Sequence, residues 1–128
     1  MGIVYPAIRL SNPVRPDLGE ITVMAVVDSG AIDLVVTEHL AAQLHLAELR
    51  PRQVRLAHGS SLRVRYVGPV KVETKGRDCT TSAYVLGEQI LLGAIPMQAM
   101  DMIIHPRDHR LVPNPEHPEL PGAMILAA

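Results

Sequence analysis

In the stretch Val23–Thr37, VMAVVDSGAIDLVVT, a first apolar run leads through the acid Asp28 into a turn of small residues, and a second apolar run follows at Leu34–Val36. This pattern predicts a strand, a tight turn of small residues at 29–31 and a second strand, with the carboxylate at the floor of a cleft. We expect the turn to require Gly30, because a backbone bend beside a functional group needs positive φ or a close approach. Taken alone, the stretch is also typical of an ordinary hairpin loop.

The composition indicates one domain with an aliphatic core. The chain has 128 residues and is 48% hydrophobic, so a single core is expected over residues 1–128. Phe and Trp are absent, which removes the stacking platform of many single-stranded nucleic-acid binders. The net charge is −1 without a block of like charges, so neither a nucleic acid nor an anionic membrane surface is an expected partner.

Cysteine usage and the hydropathy of the chain bear on its location. Cys79 is the only cysteine, which excludes an intrachain disulfide and a cysteine-based zinc site. Neither a signal-like N-terminus nor an apolar run of roughly 20 residues is present. We therefore expect a soluble, cytoplasmic protein.

Hydrophobic patterning predicts many short strands and little helix, which indicates an all-β barrel or sandwich. Pro6 should place the first strand at a sheet edge or bulge, and the unbroken apolar run 24–27 suits a strand covered on both faces. The Pro-rich stretch Pro113–Pro121 should be extended along the surface. The predicted strands are Ile3–Leu10, Glu20–Asp28, Leu34–Val36, Val54–Ala57, Leu62–Lys75, Cys79–Leu86, Ile90–Ala94, Ile103–Ile104 and Leu111–Val112, and the predicted helices are Thr37–Leu46 and Pro96–Met102.

The order of three motifs resembles that of retropepsin-like aspartic proteases, the bacterial single-domain members above all. The motifs are VVDSGA, a hairpin with a Gly-containing tip, and ILLGAIPMQAMDMIIHPRDHRLVPNP, and together they cover most of residues 20–115. The resemblance implies an all-β closed barrel of the retropepsin (acid protease) type, with one or two short helices and one lobe per chain. It also implies a homodimeric aspartic endopeptidase that acts on peptide or protein substrates without a cofactor.

The resemblance assigns roles to the motif residues. Asp28 is expected to be the catalytic acid, the hydroxyl of Ser29 to bond across to the partner subunit, and Gly30 and the Ala31 backbone to line the substrate groove. Asp33 is a candidate for binding substrate backbone, with a strand-initiating turn residue as the alternative. The flap tip is Ala57, His58 and Gly59, and the strand beneath the catalytic loops is Leu91, Leu92 and Gly93.

The sequence departs from the retroviral members in two ways that concern the dimer. Ala94 and Ile95 follow Gly93, where those members carry an Arg that braces the dimer. The Pro-rich tail at 113–128 is also unlike the usual terminal dimer sheet. The chemistry nevertheless calls for a homodimer, because peptide hydrolysis by activated water needs two carboxyls and the acid-turn motif occurs once per chain.

Two other interpretations of the sequence remain open. The first is a non-catalytic peptide-binding or dimerisation domain on the same fold. The second is an unrelated small β-barrel with a structural Asp turn.

Other side chains are weaker candidates for chemistry. Ser29 lacks the strand–turn–helix context of a nucleophilic serine. The six histidines fit solvated surface positions better than a metal site, with His58 at the flap tip as the one to watch. Cys79 is expected to be a small buried strand residue and Asp101 to lie at a helix end.

Overall fold

The computed structural model describes residues 3–28 and 30–122, which form ten strands, two short α-helices and a 3₁₀ turn at Pro16–Leu18. The helices are α1, Glu38–Gln43, and α2, Ala94–Met100. The strands are β1 Ala7–Ser11, β2 Glu20–Val27, β3 Leu34–Val36, β4 Ala47–Glu48, β5 Arg52–Arg55, β6 Ser61–Thr74, β7 Arg77–Val85, β8 Ile90–Leu92, β9 Met102–His105 and β10 Arg110–Pro113.

Six strands close into a barrel in the order β1-β2-β8-β3-β7-β6, because β6 pairs again with β1. Strand β8 runs parallel to β2 on one side and antiparallel to β3 on the other. The two strands on either side of the acidic turn are therefore held apart by a third strand rather than paired as a hairpin. The expectation of an all-β closed barrel is confirmed, and the hairpin-loop reading of the turn is wrong.

The barrel interior is filled by aliphatic and Met side chains, as the absence of Phe and Trp requires. Alternate residues of the strands point inward, so each strand contributes every second side chain to this core. Helix α1 closes one end of it with Leu40 and Leu44, and its first turn is capped by the Thr37 hydroxyl, which accepts from the Leu40 N–H at 3.2 Å. The largest fully buried side chains include Ile8, Leu10, Leu34, Leu92, Met100 and Leu111.

Several predicted boundaries and environments differ from the structure. Strand β1 begins after Pro6 and pairs with both β2 and β6, so it is an interior strand and not the predicted edge strand. Pro6 is tolerated beside it because the sheet uses only the Pro6 carbonyl, which accepts from the Ala25 N–H. Met24 is 61% exposed, so β2 is not covered on both faces. Helix α1 is shorter than predicted, and the two-residue strand β4 was missed because so short an element has no periodicity.

Cys79 lies on β7 and packs against the core, close to the predicted role of a small buried residue. The side chain is half-buried rather than buried. Burial raises the pKa of its thiol to about 11, and the neighbouring carboxylate of Asp78 adds to the effect.

Arg77 anchors the chain that follows α2. Its guanidinium is 4% exposed and donates to three backbone carbonyls: Met100 at 3.2 Å, Asp101 at 3.0 Å and His117. The first two belong to the C-terminal end of α2, where free carbonyls and the helix dipole favour a cation. The Pro-rich segment therefore forms turns that are held against the barrel. It lies at the surface as expected, but it is not extended.

Asp101 also holds the segment that follows α2. It ends α2 in a left-handed conformation, as expected of a helix-end residue. Its carboxylate accepts from the Gly122 N–H at 2.7 Å and the Asn114 amide at 3.1 Å, and it contacts His117 Nδ1 at 2.7 Å. These hydrogen bonds, that from Gly122 first, lower the pKa of Asp101.

The lowered pKa of Asp101 predicts a loss of stability in acid. A carboxyl whose pKa is lower in the folded state stabilises the fold above its unfolded pKa of roughly 4, and this contribution disappears as pH falls through the folded value. We expect Asp101→Asn to be less stable than wild type at neutral pH and to show a smaller further loss below about pH 4. Urea midpoints measured across this range test it. Asp108→Asn, an exposed acid in the β9–β10 turn, is the control; an Asp101→Asn curve parallel to wild type contradicts the assignment.

Candidate active site

The Asp28 side chain follows β2 and is half-buried at the mouth of the barrel. Its backbone N–H donates to the Leu92 carbonyl at 3.3 Å, which continues the β2–β8 pairing by one residue. Its carboxylate Oδ1 accepts from the Gly30 N–H at 2.8 Å. Backbone groups thus fix the position of the carboxylate, and no neighbouring side chain is needed to orient it.

Helix α2 holds the other end of the loop that carries Asp28. The Ala94 N–H donates to the Ala31 carbonyl at 3.1 Å, and the Ile95 N–H donates to the Ile32 carbonyl at 2.7 Å. The first N–H groups of a helix have no partner within it. Here two of them are used to fix the loop that carries Asp28.

Gly93 sits directly beneath the loop, at the junction of β8 and α2. A Cβ atom added to it would lie 2.3 Å from the Asp33 carbonyl oxygen and 2.8 Å from that of Ala31. Its φ of −91° is open to any residue, so the requirement for glycine is steric and not conformational. The predicted role of the strand Leu91, Leu92 and Gly93 under the loop agrees with this packing.

Gly30 is required for a related reason. A Cβ atom there would lie 3.2 Å from Asp28 Oδ1, which is tighter than ordinary contact. The absence of a side chain lets the Gly30 N–H reach the carboxylate and leaves the carboxylate approachable from that side. Of the two reasons predicted for glycine, the structure supports the close approach.

The other motif residues are placed as follows. Ala31 and Asp33 are half-buried in the loop, and the Asp33 carbonyl packs over Gly93. Ser29 lies outside the described residues, so its predicted bond to a partner subunit stays a prediction. The substrate-binding role of Asp33 likewise stays a prediction.

The predicted flap is an antiparallel hairpin of β5 and β6 with its tip at residues 56–60. The tip is closed by two backbone bonds, Leu56 N–H to Ser60 carbonyl at 2.8 Å and Gly59 N–H to Leu56 carbonyl at 2.9 Å. Gly59 has φ +96°, which explains glycine at this position. Ala57 and His58 are exposed, and His58 Nε2 bonds within the tip to the Ser60 hydroxyl.

Sequence reasoning missed two apolar side chains beside the acidic loop. Ile32 is 65% exposed and Ile95 is 44% exposed, and their backbones are hydrogen-bonded to each other. The available signal was an isoleucine between Ala31 and Asp33 in an otherwise small and polar turn. Ile32 belongs to the loop that follows Asp28, and we call this pair of exposed isoleucines the apolar patch.

The described residues contain neither a group of metal-ligating side chains nor a membrane-spanning helix. Within 3–28 and 30–122, no three His, Cys, Asp or Glu side chains are grouped so that they could hold a metal ion. Nor does any described helix combine the length and hydropathy needed to span a bilayer.

A family model described as "Aspartyl protease" matches residues 14–94, which include the acidic loop, the flap hairpin and β8. A search of curated proteins finds no match. The family match covers well over half of the chain, and the closed all-β barrel is consistent with it. The protein belongs to the aspartyl protease family of the retropepsin-like type.

The packing under the loop predicts the effect of a single methyl group at Gly93. We expect Gly93→Ala to lower the free energy of unfolding by about 1–3 kcal/mol, because the methyl overlaps two carbonyl oxygens and the loop must shift. Urea unfolding measures this. Gly87→Ala is the control: it has φ +71° but open space around it, so it carries only a conformational cost of about 1 kcal/mol. Equal stability of Gly93→Ala and wild type would contradict the steric role.

Proposed function

We propose that this protein is an aspartic endopeptidase that hydrolyses peptide bonds as a homodimer, with Asp28 from each subunit at the centre. The observation that carries the proposal is the presentation of one carboxylate per chain by backbone anchors on both sides of its loop, in a member of the aspartyl protease family. A single carboxyl cannot serve as both acid and base in one step, so a second copy must supply the other.

The reaction requires the two carboxyls to share one proton. The ionised Asp28 takes a proton from a bound water, which attacks the peptide carbonyl carbon. The protonated Asp28 of the partner subunit donates its proton to the carbonyl oxygen, and proton transfer to the amide nitrogen then releases the amine. Two adjacent carboxyls do not both ionise because of their mutual repulsion, and aspartic proteases are the standard example of this effect.

Features of the single chain support completion of the site by a second copy. The loop that carries Asp28 also carries the exposed Ile32, whose carbonyl accepts from the N–H of the exposed Ile95. A two-fold axis through this patch would bring the same residues of both chains together and bury them. This arrangement supports a cleft formed between two copies.

Asp28→Asn should abolish turnover without unfolding the protein. The asparagine oxygen can still accept from the Gly30 N–H, but the amide cannot act as a general base, a role that contributes about 10²–10⁴-fold. The measurement is kcat/KM on a quenched peptide library, with Asp78→Asn, an exposed acid on β7, as the control. An Asp28→Asn variant as active as wild type would remove Asp28 from the mechanism. A wild-type dimer that binds peptides without cleaving them would instead favour the peptide-binding domain.

Ile32→Glu should weaken the dimer. If two isoleucines are buried at the axis, replacing both with charged side chains raises the dissociation constant at least about tenfold. Sedimentation equilibrium measures it. Val14→Glu is the matched control, since Val14 is also β-branched and 68% exposed but lies in the β1–β2 connection. Identical dissociation constants for Ile32→Glu and Val14→Glu would place the dimer contact elsewhere.

A further inference from the structure

The flap hairpin carries a charge unlike that of the rest of the molecule. We call residues 50–64 the cationic hairpin: it holds four of the twelve lysines and arginines and none of the thirteen acids, although the whole chain has a net charge of −1. The arginines are never adjacent in sequence, so they do not form a run, and β5 and β6 bring them together. They are Arg50, Arg52, Arg55 and Arg63.

These charges are not neutralised within the described part of the chain. All four arginines are exposed, and none of the ion pairs among the described residues includes them. Arg65, just beyond the hairpin on β6, is paired with both Glu38 and Glu48. The contrast shows that acids are available at the base of the hairpin but are absent along it.

The two faces of the hairpin present different side chains. Arg52 pairs with Val64 and Arg55 with Ser61, and residues opposite each other in an antiparallel pair project to the same face. Because successive residues alternate, Arg52 lies on the face whose Val64 is buried against the body, whereas Arg55 and Arg63 lie on the exposed face. Among the arginines of the two strands, Arg52 thus shares a face with the buried Val64, although its own side chain is exposed.

Arg52 is also held in place before any ligand arrives. Its guanidinium carbon lies 4.5 Å from the centre of the Tyr66 ring, a cation–π contact that restricts the side chain. Arg52 and Tyr66 line a surface cavity of about 760 Å³ together with Leu49, Arg50, Pro51 and Gln53. An apolar and aromatic floor with two guanidinium groups suits a peptide side chain that ends in a carboxylate.

We infer that the cationic hairpin selects peptide substrates that carry acidic side chains. Arg52 and Arg50 bind a substrate carboxylate at the base of the hairpin, while Arg55 and Arg63 attract acidic segments from solution. The inference rests on the proposed function, since it names the substrate class of the same site. It makes the hairpin a specificity element as well as a cover.

A peptide fits this charge pattern better than a nucleic acid does. Four separated charges can meet a few carboxylates, but the thirteen acids carried by the rest of the chain repel a continuous polyanion.

The test compares two cleavable peptides that differ only in Glu or Gln at two positions flanking the scissile bond. Wild type should favour the Glu peptide in kcat/KM by about two- to fivefold per carboxylate, and the preference should shrink between about 0.1 M and about 1 M salt. Arg52→Gln with Arg50→Gln should remove most of the preference. Arg107→Gln, an exposed arginine in the β9–β10 turn, should leave it unchanged. Equal kcat/KM for the two peptides on wild type would overturn the inference.

Binding measured without turnover separates this inference from the proposed function. Fluorescence anisotropy of both peptides on the Asp28→Asn protein should show the same preference for Glu. A binding preference without wild-type cleavage would support the hairpin's selectivity and overturn the protease function, whereas cleavage of both peptides without a preference would do the reverse. Displacement of the Glu peptide by a single-stranded oligonucleotide of equal charge at equal concentration would overturn the acidic-peptide inference in favour of a general polyanion site.

Discussion

The insertion of β8 between β2 and β3, with Gly93 packed against the carbonyl oxygens of the acidic loop, is the constraint on which the rest of the site depends. The inserted strand prevents β2 and β3 from pairing and turns the sequence between them into a loop raised on a rigid support. Leu92 and the start of α2 then satisfy the backbone groups that a raised loop would leave unpaired. A carboxylate on such a loop keeps its position when substrate arrives, which is what electrostatic and acid–base catalysis require.

The same construction underlies the proposed homodimer. The support fixes one carboxylate and leaves the side chains of Ile32 and Ile95 exposed. In the proposed homodimer, the identical loop of the second copy covers these side chains and supplies the second carboxyl. The tail past α2 is meanwhile bound by Arg77 and Asp101 to its own barrel, so within residues 114–122 it is occupied by contacts that a tail swapped between subunits would have to give up.

The sequence was informative where local patterning and global fold agree. The β-branched runs around Asp28, the alternation of β6 and the Thr37 cap all specify their structures locally, and they were predicted correctly. The order of the motifs added the closed barrel and the family. The predictions failed where a residue's neighbours come from distant parts of the chain: Met24 is apolar yet exposed, and Pro6 adjoins an interior strand because its missing N–H is not needed there. The pair of exposed isoleucines, Ile32 and Ile95, is likewise a product of folding, since the two residues are far apart in the sequence.

Cys79 has a practical consequence at the bench. With the pKa of its thiol raised to about 11, almost none of it is thiolate at neutral pH, and the thiolate is the species that reacts with oxidants and alkylating agents. Its position against the core further limits access. The thiol should therefore oxidise slowly during storage without reductant and react with alkylating agents more slowly than an exposed cysteine does. A brief treatment with such an agent can then inactivate contaminating cysteine proteases in a preparation before Cys79 is extensively modified.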